Sequence, residues 1–454
     1  MDEALTMRSG KSLLLLVVVA AALGGYIYFV EMKRDPAADT ESTREKVFTI
    51  SPGSIEEVEI TNAAAETTKV VRQDAAWVVT APEQAEADTV EISTVVSSLE
   101  SLEQTRVVSE APESATPFGL DPARITVAFK LTGESAPRRL LIGNKTPTGG
   151  DLYARIDGSP RVFLIGGYLE DTFDKTPFEL REKSVLKFSR DAADALTIDA
   201  GTTRISLTKS GADWRLTSPV NARADFAAVD GIVGRVFQAR MASLVSPDGT
   251  QKLKDYGLDK PQAVVSLGSG SSRAELAIGA ADGDANVFAR DLSRPMVFTV
   301  EKALLDELRK SADDLRLKDL FEFRSFSATR FDITSGGTTY SFSKKKGEGD
   351  NAPDIWSLTA PSGKTADITK MTDLLTTTSN LRAESFATLA LASGDTVTIS
   401  VTFGEGDAAK SETVTLRKSG EVVHAIRTGE PGAAVVSTID SDRVLQLLKD
   451  ITGE

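Results

Sequence analysis

Trp77-Val78-Val79-Thr80-Ala81-Pro82 is followed, ten positions after its tryptophan, by Ala87-Asp88. The phrase returns as Trp214-Arg215-Leu216-Thr217-Ser218-Pro219 with Ala224-Asp225, and again as Trp356-Ser357-Leu358-Thr359-Ala360-Pro361 with Ala366-Asp367. These are the three tryptophans of the chain, 137 and 142 residues apart, and self-similarity at a fixed period is the mark of a repeat architecture. Apolar residues then fall at matching places: Ile92, Val95 and Val96; Val229, Ile232 and Val233; Met371, Leu374 and Leu375. That i, i+3, i+4 stripe predicts a helix with one buried face after each phrase. Beyond it Val107-Val108-Ser109, Leu244-Val245-Ser246 and Phe386-Ala387-Thr388 read as a short strand leaving the helix.

Working outward, the first two copies share more. Phe118-Gly119-Leu120-Asp121-Pro122 matches Tyr256-Gly257-Leu258-Asp259-Lys260-Pro261, and Tyr153-Ala154-Arg155 matches Phe288-Ala289-Arg290. Leu180-Arg181 with Lys183 and Phe188 matches Leu315-Arg316 with Lys318 and Phe323, and Arg44-Glu45-Lys46-Val47-Phe48 resembles the same junction entering copy one. Copy three lacks the Gly-Leu-Asp turn, as expected of an atypical terminal repeat. Runs such as Val58–Thr61, Lys69–Val71, Ile125–Phe129, Arg139–Ile142 and Val162–Ile165 read as strands at hairpin spacing. A second helix is expected near Tyr168–Asp174, Glu301–Lys310 and Asp442–Leu448. The predicted class is α+β: three modules, 47–186, 187–321 and a divergent 322–454, each of mainly antiparallel strands with two helices.

Each signature residue has a structural reading. Trp77, Trp214 and Trp356 pack strands on the helix, the alternative being exposed platforms for sugar rings. Pro82, Pro219 and Pro361 end the strand and turn the chain. Asp88, Asp225 and Asp367 sit where an N-cap belongs, and Glu91 completes an Asp-x-x-Glu capping box; the alternative is a carboxylate for acid–base work. Gly119 and Gly257 are turn residues, without the Lys and Ser/Thr that a phosphate loop needs. Lys344-Lys345-Lys346 reads as part of a solvated hairpin loop, and His424, in Val422–Ile426, as a strand residue with a satisfied ring.

Composition sets the bounds. A chain of 454 residues, 41% apolar, has room for two to four cores. A net charge of −14 argues against a nucleic-acid partner, whose phosphates need clustered Lys and Arg. With no cysteine, thiolate catalysis and Cys-ligated metal are excluded, and a single histidine leaves little for a triad or an imidazole site. No catalytic, cofactor-binding or metal-ligating residue is assigned, and no cofactor is expected.

Residues 12–30 carry no charge across 19 positions, about 28 Å as a helix, which matches the hydrocarbon core of a bilayer. A short tail, 1–11, precedes them. The rival reading, a cleaved signal peptide, has a shorter apolar run of about 7–15 residues, although Ala20-Ala21-Ala22 and Gly24-Gly25 offer cleavage sites. Residues 31–46 are a polar tether reaching about 20–24 Å as a coil. The expectation is a single-pass protein of the inner (cytoplasmic) membrane, contacting the bilayer through 12–30, with the bulk of the chain extracytoplasmic, in the periplasm.

The set of anchor, Trp-x-x-Thr-x-Pro, Ala-Asp helix and Tyr/Phe-Gly-Leu-Asp resembles a bacterial membrane-anchored repeat family catalogued as a domain of unknown function, family 4340. The resemblance implies proximity to ABC exporters with an auxiliary subunit of the gliding-motility type, and it carries over no catalytic residue. The function expected is therefore a non-catalytic extracytoplasmic component of a membrane transport assembly, with transporter subunits as partners. The alternative is a binder of envelope glycan, and a third reading is a carboxylate hydrolase with two acids about 5–10 Å apart.

Overall fold

The computed structural model describes residues 45–347, 354–387 and 394–453. The membrane helix expected at 12–30, the tail 1–11 and all but Glu45 and Lys46 of the tether lie outside the described residues. Among the described residues no helix is long and apolar enough to cross a membrane.

Module one is one antiparallel sheet built from β1 (Ile55–Thr61), β2 (Thr67–Gln73), β3 (Ala76–Ala81), β4 (Ala85–Glu86), β5 (Arg106–Ser109), β6 (Ile125–Leu131), β7 (Arg138–Lys145), β8 (Asp151–Ile156) and β9 (Val162–Gly166). Their order across the sheet is β4-β3-β2-β1-β6-β7-β8-β9-β5. Two meanders thus run outward from the central β1–β6 pair, where Val58 faces Phe129. Helix α1 (Thr89–Glu100) carries the chain from one edge to the other, and α2 (Leu169–Phe173) follows β9. Module two repeats this order in strands from Ala195–Ala200 to Val297–Glu301, with α3 (Phe226–Gln238) and α4 (Lys302–Leu308). Module three repeats it from Ala328–Ser335 to Ala433–Val436, with α5 (Ile368–Ser379) and α6 (Thr438–Thr452). Three nine-stranded sheets against two helices per module make the chain mostly β.

Alternation explains the sheets. In β6, Ile125, Val127 and Phe129 are buried on one face, and β7 adds Leu140 and Ile142. Helix α1 buries Ile92, Val95 and Leu99 in the same core, α3 buries Val229, Ile232 and Val233, and α5 buries Met371, Leu374 and Leu375. The segment entering each module pairs with the residues that follow its first helix, through Lys46 and Glu103, Ser184 and Arg240, and Asp319 and Arg382. By contact density the chain divides into two compact units, one closing at Glu182 and one starting at Lys183, so the second holds modules two and three.

Two sequence readings are corrected here. Lys344 and Lys345 belong to the strand Thr338–Lys345, not to a loop; the Lys344 ammonium, largely covered, bonds the Phe326 carbonyl at 2.9 Å and pairs with Asp354 at 3.4 Å. His424 is indeed in a strand, Val422–Arg427, but its buried Nδ1 has no hydrogen-bond partner among the described residues. The register gives the reason. His424 faces Val435 as Tyr153 faces Leu164 and Phe288 faces Thr299, so it occupies an aromatic position.

Candidate functional site

Each signature phrase builds one local device. The tryptophan lies in the third strand of its module, and its carbonyl accepts from the Ala N–H ten residues on: Ala87 to Trp77 at 3.1 Å, Ala224 to Trp214 at 3.1 Å, Ala366 to Trp356 at 2.8 Å. The repeat spacing is therefore the length of one hairpin, turned at Pro82, Pro219 and Pro361, each preceded by a cis peptide bond. The following aspartate caps the helix. Asp88 Oδ1 accepts from the N–H groups of Val90 and Glu91, Asp225 from Ala228, and Asp367 from Thr369 and Lys370. The capping box read at Glu91 is corrected: the Asp88 N–H already donates to Leu180 O at 2.9 Å, and Glu91 pairs with Lys175 at 2.9 Å instead. Trp214 and Trp356 are 4% exposed, and Trp77 is half-buried against the module-one core.

Gly119 and Gly257 adopt φ of +69° and +67°, the left-handed region that favours glycine. Gly143 and Gly279 meet them closely, since a Cβ there would stand 2.1 Å from Phe118 O and 2.2 Å from Tyr256 O. The aromatic residue before each turn stacks on the aromatic of the other shared motif, Phe118 on Tyr153 and Tyr256 on Phe288, with ring centroids 5.0 Å apart. Two motifs noticed separately in sequence are thus halves of one contact. The sequence of module three carries neither the Gly-Leu-Asp turn nor an aromatic before it, and among the described residues no hydrogen bond reaches His424 Nδ1.

The residues that close modules one and two escaped the sequence reading as a contact. In module one Leu180-Arg181-Glu182 lies antiparallel along Glu86–Asp88: Asp88 N–H donates to Leu180 O and Glu182 N–H to Glu86 O. In module two Leu315-Arg316-Leu317 repeats this along Arg223–Asp225, with Asp225 N–H to Leu315 O at 2.9 Å and Leu317 N–H to Arg223 O at 3.0 Å. Leu180 and Leu315 are both fully buried.

Where module two meets module three, charged side chains cross the junction. Arg223 pairs with Glu430 and Glu322 and donates to Asp319 O at 2.8 Å. Arg427 reaches Glu322, Glu412 and Glu430 at 3.4–3.5 Å and donates to Leu320 O at 3.0 Å. Glu412, nearly inaccessible, accepts from the Glu322 N–H. The Arg316 guanidinium stacks 3.6 Å from the centroid of Phe386, and burial pushes its pKa down. A cavity of about 620 Å³ opens beside this cluster, walled by Trp214, Arg215, Arg223, Lys410, Arg427 and Glu430 among others. The carboxylate oxygens here are held by guanidinium and backbone donors, a geometry of fastening.

Module one has a second charged cluster. Glu170 on α2 accepts from Lys145 and Arg124, and Arg124 also donates to Gly143 O at 3.3 Å. The hydrogen bond from Lys145, then that from Arg124, holds the Glu170 carboxyl below the usual carboxylate range against the opposing effect of burial. Among the described residues no group of three or more His, Cys, Asp or Glu is placed to hold a metal ion.

Fold and site together define a tandem array of three nine-stranded antiparallel modules, the first two each closed by their own returning segment. The chain belongs to the family described as Domain of unknown function (DUF4340), whose model matches residues 77–213 and 214–437. The matches begin at Trp77 and Trp214, so the family unit runs from the third strand of one module into the next. No curated protein and no solved structure matched the chain.

Proposed function

We propose that the protein is a non-catalytic, extracytoplasmic accessory component of a membrane transport assembly of the ABC exporter-associated kind, held to the inner membrane by residues 12–30 and presenting its modules to other subunits. One observation carries this reading. An apolar side chain stands open in the first turn of the first helix of every module: Val90 at 74%, Phe226 at 50% and Ile368 at 49% exposure. Single exposed apolar residues are ordinary on protein surfaces, but one in the first turn of the same helix in all three modules, two residues past the cap at Val90 and one past it at Phe226 and Ile368, supports a set of contact points. The junction cluster supports it too, because charge spent on fastening module two to module three suits a scaffold. The glycan reading needs open indole faces, and the burial of Trp214 and Trp356 weighs against it.

The test is affinity purification from membranes, comparing the wild type with a variant carrying Val90→Lys, Phe226→Lys and Ile368→Lys. The wild type is expected to bring down transporter subunits, and the variant to lose them while melting as before. Equal recovery of the same subunits would refute the reading.

A further inference from the structure

Among the described residues, no segment lies along the fourth-strand edge of module three as the closing segments do in modules one and two. There the equivalent strand is Lys364–Thr365, and it pairs only inward, with Ser357 and Leu358. Among the described residues nothing accepts the Asp367 N–H or donates to the Thr365 carbonyl, the groups whose equivalents bond Leu180 and Glu182, or Leu315 and Leu317. Accessibility follows the difference: Ala87 and Ala224 are buried under the closing segments, while Ala366 is half-buried and Lys364, Thr365 and Asp367 are exposed. Helix α6 ends nearby, with Lys370 Nζ bonded to the Asp450 carbonyl and Ile451 only partly buried.

We propose that Thr365–Asp367 is a β-addition site for an extended segment of a partner protein carrying the pattern acidic-Leu-Arg-x-Lys. The pattern is that of the two segments that fill this edge elsewhere in the chain, Glu179-Leu180-Arg181-Glu182-Lys183 and Asp314-Leu315-Arg316-Leu317-Lys318. Main-chain hydrogen bonds give such a segment its hold, and alternate side chains give selectivity. In both resident segments the leucine is fully buried and the arginine, directly opposite Ala87 or Ala224, is largely buried too, so an added segment would cover the half-buried Ala366 with its arginine and set its leucine beside it. An unpaired sheet edge is a template for a further strand, and this one has no proline in the strand and, among the described residues, no strand paired along it.

A second copy of this chain is the weaker occupant. The bond from Gln104 N–H to Glu45 O corresponds to those from Met241 to Lys183 O and from Ala383 to Lys318 O. By that register Ser42-Thr43-Arg44 takes the sequence positions of Leu-Arg-x, and serine stands where both closing segments bury a leucine.

The site deepens the reading of the chain as an interaction component and rests on it. The chain has no cysteine, so single cysteines report contacts without background. The probe is a peptide of residues 176–187 with cysteine at the Arg181 position, offered under mild oxidation to full-length Ala366→Cys protein, because Arg181 and Arg316 face Ala87 and Ala224 directly. Directly opposed residues of an antiparallel pair lie about 4.5–5.5 Å apart at Cα, within disulfide reach. The expected result is a saturable conjugate, formed about tenfold less with a Leu180→Asp peptide or with one N-methylated at Glu182, which lacks the donor for Thr365 O. Glu384→Cys protein, exposed elsewhere on module three, should label no faster than with a scrambled peptide. Equal labelling of the two proteins, or indifference to N-methylation, overturns the proposal. A disulfide to a Thr43→Cys copy in place of the peptide also overturns it, making a second copy the occupant. Loss of the conjugate with transporter subunits still co-purifying removes this site and leaves the accessory role standing.

Discussion

Trp214→Ala tests whether the signature tryptophans hold their modules together. The indole is 4% exposed, close to full burial. An aromatic side chain of this kind buries about 200 Å², which at about 25 cal/mol per Å² is an upper bound near 5 kcal/mol. Truncations of buried tryptophan cost about 3–5 kcal/mol once the cavity is included. The compact unit holding module two runs from Lys183 to Glu454, and at this size each kcal/mol moves the midpoint by about 2–4 °C. A fall of about 6–20 °C is therefore expected in the transition of that unit, read by calorimetry of the intact protein. Trp77→Ala, at the matching place but half-buried and in the other compact unit, should cost less and move a different transition. An unaltered midpoint for Trp214→Ala, or an equal loss from Trp77→Ala, would refute the argument from burial.

Other perturbations have comparably defined outcomes. Gly257→Ala places a Cβ 2.8 Å from the Ala280 backbone nitrogen at positive φ, so it should destabilise by more than the ~1–2 kcal/mol of the left-handed conformation alone, as urea unfolding would measure. Arg427→Ala strands Glu412, which is nearly inaccessible, and should cost about 3–5 kcal/mol; a loss below 1 kcal/mol would show the junction cluster to be ornamental. Glu170 titrates below its ordinary value when folded, so the unfolded chain takes up that proton first. Its stabilisation is whole above the unfolded pKa and is lost as pH falls through the folded one, and Glu170→Gln should flatten that acid limb in melts across pH. A reporter active only outside the cytoplasm, fused after Glu454, should be active with the intact protein in the membrane fraction; a soluble product beginning near Gly25 would contradict the anchor.

Much of the fold was legible because local rules dominate it. The stripe Ile92, Val95, Val96 and its two copies lie on buried helix faces, and Asp88, Asp225 and Asp367 stand at the caps, since periodicity and capping depend on neighbours in sequence. The strand order was not legible. β5 leaves α1 to pair with β9, and nothing in Arg106–Ser109 specifies that distant edge. The contacts at the module junction were hidden for the same reason. Arg223 and Glu430 are far apart in sequence, and each alone reads as a solvated surface charge. Leu180-Arg181 and Leu315-Arg316 were visible as a repeat, but only coordinates place them along the edge they cover. The pairing of Phe118 with Tyr153 shows a middle case, where a joint loss in copy three was a clue to contact.

The strand order also governs how a module assembles. β1 to β4 and β6 to β9 are each paired with their neighbours in sequence, so two halves form by short-range zippering at small loop-closure cost. Only β1 on β6 and β5 on β9 demand distant segments; the first join spans α1, and the second places the strand that α1 delivers. The helix is thus the hinge-pin of folding: until its apolar face docks, the halves have no reason to meet. Module one builds its sheet and its closing Leu-Arg segment from its own residues, and that segment is the last piece in sequence. Module one is therefore complete in sequence by Glu182, before the strands of module two begin at Ala195. The first module is thus sealed before the strands of the second begin, which keeps its own strands from lingering unpaired beside later ones.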